Sequence, residues 1–141
     1  MDGIETEDFL IWYPRTCCSD FGSACAARFG TRLVVVMGHS QCGAVTAAVE
    51  EALGRATNES QNLRSIVDRV RPSVETVVAA HVNRDLDTLV SEAVRANVRA
   101  SVDHLRHGSQ LLEGLIQGDG LRVVGAEYSL DSGVVTFFDE A

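Results

Sequence analysis

The sequence predicts an α/β fold in which a short, mostly parallel sheet is flanked by helices and closed by an antiparallel C-terminal edge hairpin. Three observations carry this. Leu33-Val34-Val35-Val36-Met37 is an uninterrupted apolar run entering Gly38, the pattern of a strand buried on both faces of a parallel sheet. Between Leu86 and Leu105, apolar residues recur at helical spacing and trace one long amphipathic helix. Two further apolar runs, Leu121 to Tyr128 and Val134 to Phe138, flank Asp131-Ser132-Gly133, a turn signal that makes them a hairpin. Strand, helix, strand, helices, strand, strand is the order of an α/β sheet with an antiparallel edge.

The elements follow in order. Phe9 to Tyr13 is aromatic and β-branched, a strand that Pro14 ends or marks as an edge. Gly22 to Gly30 is Ala-rich and bracketed by glycines, so a short helix fits. After the valine-rich strand, Ala44 to Leu53 turns helical and stops at Gly54, a C-cap residue. Leu63, Ile66, Val67 and Val70 keep helical spacing up to Pro72, which is expected to begin a new turn that Val74, Val77 and Val78 continue. The long helix ends near Gly108, and the next element expected is the strand at Leu121.

A length of 141 residues suits one domain over 1–141 with a real core. All twelve basic residues are arginine, and with twenty acids the formal net charge is −8. Such a surface cannot neutralise phosphates, which argues against nucleic acid and against an anionic membrane as partners. Met1 to Asp8 is acidic and lacks the basic flank and apolar core of a secretory signal. The expected setting is the cytoplasm, where Cys17, Cys18, Cys25 and Cys42 would be reduced thiols, some of them free to bind metal.

The chemistry concentrates in Gly38-His39-Ser40-Gln41-Cys42-Gly43-Ala44. A buried strand delivers His39 and Cys42 to its carboxyl end, where open α/β sheets bind ligands. The two-residue gap lets an imidazole and a thiolate face one metal across a tight turn, and the N-terminus of the next helix favours the thiolate. Mixed nitrogen and sulfur donors select zinc over hard cations. The plainer alternative is a structural cysteine behind a strand with a loop histidine. A third ligand could come from Cys17, Cys18 or Asp20, which follow the first strand. His104 and His107 share a helix face, but at a helix C-terminus they fit solvated capping better than metal binding.

These residues resemble the β-class carbonic anhydrases. The likeness lies in Gly38 to Ala44, in Arg69-Val70-Arg71-Pro72, in Asn97-Val98 with Ser101, and in Val123 to Val134. It covers about Gly22 to Phe138, with the blocks in the family's order. The resemblance implies a zinc ion held by two cysteines and a histidine, activating water to attack carbon dioxide and give bicarbonate. It assigns His39 and Cys42 as metal ligands, with Cys18 as the remaining one. The family's first motif is Cys-x-Asp-x-Arg, whose Asp and Arg form a dyad beside the metal. Cys18-Ser19-Asp20-Phe21-Gly22 supplies the cysteine and makes Asp20 the catalytic aspartate, but glycine stands at the arginine position. Positions 19 to 38 alone separate Cys18 from His39, where the family carries several tens of residues. The resemblance thus implies an N-terminally shortened member, residues 1–21 being of uncertain relation to the family. An exposed apolar sheet edge would make it a homodimer or higher homo-oligomer. Two further outcomes share the fold: a non-catalytic zinc-binding relative without the dyad, and a hydrolase of carbonyl sulfide or carbon disulfide.

Overall fold

In the computed structural model, the described residues are 9–12, 30–55, 61–81 and 83–138. They form four strands and four helices: β1 (Phe9–Trp12), β2 (Leu33–His39), α1 (Gly43–Ala52), α2 (Gln61–Ala80), α3 (Leu86–His107), α4 (Gln110–Gly118), β3 (Arg122–Tyr128) and β4 (Val135–Phe138). The proposed helix between Gly22 and Gly30 lies outside the described residues, as do Cys17, Cys18, Asp20 and Cys25.

The sheet order is β1-β2-β3-β4. β1 runs parallel to β2, with Phe9 opposite Leu33 and Trp12 opposite Val36. At the two ends of the next pair, Arg122 N–H donates to Arg32 O and Ser40 N–H donates to Tyr128 O, both at 2.9 Å, so β3 is also parallel to β2. β4 returns beside β3 after only a short connection, which forces an antiparallel pair because a parallel one needs a long crossover. Ser129 N–H donates to Val134 O across the turn. This is the mixed sheet expected from the sequence.

The described residues form two compact units, one drawn from those up to Met37, Val98–Ala126 and 136–138, the other from those between Gly38 and Asn97 with Glu127–Val135. In the first, alternate residues of β2 and β3 fill two different cores. Val34, Val36 and Val123 pack with Val98, Val102 and Leu105 of α3 and Leu112 of α4. Val35, Val124 and Ala126, pointing the other way, form a separate cluster. Burial on both faces is why β2 and β3 read as continuous apolar runs instead of alternating ones.

The second unit is built on helices. Val45, Ala48 and Val49 of α1 pack with Val67, Val70, Val74 and Val78 of α2 and Leu89, Val90, Ala93 and Val94 of α3. Gly54, at φ +68°, closes α1 by donating its N–H to Glu51 O. Asp85 starts α3, accepting the Thr88 N–H at 2.9 Å and the Thr88 hydroxyl at 2.7 Å. Pro72 sits inside the single continuous helix α2, and the turn expected to begin there carries on without a break. The apolar faces on either side of it share one core, which offsets the missing backbone hydrogen bond. The helix α4 was not expected: Ser109 caps it, its hydroxyl accepting the Leu112 N–H.

Candidate metal centre

β2 extends past the valine run to His39, two residues beyond its expected end. Only Ser40, Gln41 and Cys42 then separate it from α1, whose N-cap is Cys42 with φ −69° and ψ 109°. Thr46 ties down this helix start, donating both its N–H (2.9 Å) and its hydroxyl (3.1 Å) to Cys42 O. The Cys42 side chain makes no capping hydrogen bond and its thiol is free and half-buried.

His39 Nδ1 lies 2.9 Å from Ser40 O. A carbonyl oxygen only accepts, so the proton of the neutral ring resides on Nδ1 and the lone pair on Nε2 is available to a ligand. Metal-binding histidines are held in this way, with the second ring nitrogen bonded to a carbonyl or carboxylate. The donor chemistry at this turn therefore fits a zinc ion, with one imidazole nitrogen and one thiol presented from adjoining elements. Among the described residues no group of three or more His, Cys, Asp or Glu side chains is arranged to hold a metal. His104 and His107 belong to the last turn of α3, and His107 Nδ1 pairs with Asp103 within that helix at 3.0 Å.

The turn is braced by the hairpin between β3 and β4. Ser40 N–H donates to Tyr128 O at 2.9 Å, and Ser40 Oγ accepts the Leu130 N–H at 2.9 Å. Gln41 Nε2 donates to both carboxylate oxygens of Asp131, at 3.0 and 3.1 Å. Gln41 adopts φ +54°, the one positive value recorded for a non-glycine residue among the described residues. The left-handed conformation costs an L-residue about 1–2 kcal/mol. Beside this, Arg95 Nε donates to Glu127 Oε2 at 2.7 Å, pairing the carboxylate that β3 would otherwise bury alone. The sequence marked Asp131 only as a turn residue. Its partner lies 90 positions away, and no local pattern announces such a pair.

A parallel strand end that hands an imidazole and a thiol to the start of a helix defines the class: an α/β protein with a candidate transition-metal turn. A family model described as carbonic anhydrase matches residues 21–135, a stretch that begins just after Cys18 and Asp20. Carbonic anhydrase 2 of Mycobacterium tuberculosis strain H37Rv is 37% identical over 101 residues, 72% of this chain and 46% of that protein. A carbonic anhydrase of Mycolicibacterium smegmatis is 35% identical over 104 residues, 73% of this chain and 47% of that protein. The chain thus spans about half the length of these curated relatives. Among solved structures, the β-carbonic anhydrase CafA of Aspergillus fumigatus superposes with a TM-score of 0.76 at 23% identity, over 93% of this chain and 60% of that one. CafD of the same fungus superposes with a TM-score of 0.63 at 15% identity, over 97% of this chain and 92% of that one. These structural likenesses concern the fold. The chain belongs to the β-carbonic anhydrase family.

Proposed function

We propose that the chain is a zinc-dependent carbonic anhydrase that hydrates carbon dioxide to bicarbonate, with Cys18, His39 and Cys42 as metal ligands and Asp20 as the catalytic aspartate. The observation that supports this best is the His39 ring, held through Nδ1 by Ser40 O with Nε2 left to bind, three residues before a half-buried free thiol. Zinc, when bound there, would supply a Lewis acid that makes water nucleophilic near neutral pH. The protein's own residues supply the rest. The helix start places the Cys42 thiol at the turn, and the Ser40 carbonyl fixes the histidine tautomer. Asp20 is assigned the task of accepting a hydrogen bond from the attacking water and orienting it. Carbon dioxide is small and neutral, so a net charge of −8 opposes neither its arrival nor its binding.

We place the protein in the cytoplasm as a homodimer or higher homo-oligomer. No described helix is long and apolar enough to cross a membrane. β4 is an outer strand among the described residues, and Val134, Phe137, Leu130 and Val135 around it are exposed. An edge with that much apolar surface favours burial against another copy. Two β-carbonic anhydrases of Sordaria macrospora with this fold are described as tetrameric. A monomer by size-exclusion chromatography with light scattering would contradict the assembly.

Metal analysis with X-ray absorption tests the ligand set. The expected outcome is about one zinc per chain in a shell of two sulfurs and one imidazole nitrogen. Cys18→Ser should abolish tight zinc binding, as should Cys42→Ala. Zinc content unchanged by Cys18→Ser would remove Cys18 from the site, and protein purified and reconstituted without any Cys42-dependent zinc would end the zinc reading.

A further inference from the structure

We propose that Asp131 is a positioning residue for the metal turn: through Gln41 it holds the backbone that orients His39 and Cys42, so the β3–β4 hairpin sets how tightly the turn takes a metal. The inference rests on the reading of His39 and Cys42 as ligands. It starts from the peptide unit between Ser40 and Gln41. The carbonyl of that unit accepts from His39 Nδ1, so its direction fixes both the tautomer and the ring. That direction is set by Ser40 ψ and Gln41 φ, and Gln41 sits in the left-handed region at +54°. On its other side the same residue delivers Cys42 to the N-cap of α1.

Glutamine does not favour this conformation, as glycine or asparagine would. Strained backbone persists where its surroundings over-determine it. Three ties to one hairpin do so here. The Ser40 N–H to Tyr128 O bond continues the ladder between β2 and β3, and the Leu130 N–H to Ser40 Oγ bond adds a second tie. The third, Gln41 Nε2 to both oxygens of Asp131, is charge-assisted and made by the strained residue itself. With the clasp removed, only the two bonds at Ser40 still restrain the Ser40–Gln41 peptide, and the carbonyl that His39 uses is held less firmly.

Gln41→Gly separates positioning from stability, because glycine takes φ +54° without strain yet cannot form the clasp. On the full chain, the thermal midpoint of the metal-free protein should be unchanged or higher. Its zinc dissociation constant, from competition with a chromophoric chelator, should nonetheless weaken by about tenfold. That is the lower end for groups one step removed from a metal, since both clasp partners are exposed. Asp131→Ala should weaken binding similarly, Asp131→Asn should restore most of it, and the Gln41→Gly/Asp131→Ala double variant should be no weaker than either single one. In the metal-free protein, amide exchange at Ser40 and Leu130 should quicken in both single variants. Wild-type zinc affinity in Gln41→Gly, or losses that follow the thermal midpoint across all variants, would overturn the proposal while leaving the ligands in place. Zinc binding that does not depend on Cys42 would overturn the ligand reading and this proposal together.

Discussion

At the scale of single residues, the local hydrogen bonds that start and stop elements carry measurable consequences. Asp85 accepts two bonds from Thr88, and these, the backbone bond foremost, hold its carboxyl below the ordinary value of 3.8. A carboxyl with a depressed folded value contributes stability that is fully present above its unfolded value. That contribution is lost as pH falls through the folded value. Wild type should therefore melt above Asp85→Ala at neutral pH, and the gap should narrow once the pH drops below about 4. A gap that stays constant into acid would show that Asp85 acts through something other than its charge. The same scale sets the limit of sequence reading at the metal turn. His39 and Cys42 were legible because a strand, a glycine and a helix start stand in one contiguous block. Asp131 was not, because its bond to Gln41 is made across the sheet and depends on a backbone angle that no residue type declares.

At the scale of elements, continuous apolar runs and helical periodicity located β2, β3, α1 and α3 to within about two residues at most ends, because their burial comes from their own pattern. Within α2, Pro72 lacks the N–H that an interior turn needs. Val67, Val70, Val74 and Val78 lie on one buried face across Pro72, and that shared burial outweighs the lost bond. α4 escaped notice between two glycines, though Ser109 and the Leu111-Leu112, Leu115-Ile116 spacing were present in the sequence. Its role is concentrated in Leu112, which is 1% exposed, whereas its neighbour Leu111 is 49% exposed. Leu112→Ala should cost about 2–5 kcal/mol of unfolding free energy. Leu111→Ala should stay within about 0.5 kcal/mol of wild type. Equal effects in chemical denaturation would contradict the packing of α4. In β3, a Cβ at Gly125 would stand 3.1 Å from Phe138 and 3.2 Å from Val98. Gly125→Ala should thus destabilise by about 1–3 kcal/mol through overpacking, an effect that Phe138→Leu should partly relieve.

At the scale of the whole molecule, each of the two compact units has its own valine- and leucine-rich core. The fold class was legible because alternation of strand and helix leaves few arrangements open to a chain of 141 residues. Only positions 19 to 38 separate Cys18 from His39, and glycine stands at the motif's arginine position. CafD, matched over 92% of its length, shows that a chain little longer than this one carries the β-carbonic anhydrase fold. The question of catalysis falls on Cys18, Asp20 and the glycine at position 22. Carbonyl sulfide and carbon disulfide hydrolysis would need the same activated water, so carbon dioxide hydration is the decisive assay. Stopped-flow hydration of carbon dioxide by the zinc-loaded protein, beside Cys42→Ala at equal concentration, tests the central claim. The account predicts a rate far above buffer for the native chain and the buffer rate for Cys42→Ala. Stoichiometric zinc in the native chain with no acceleration over Cys42→Ala would contradict it.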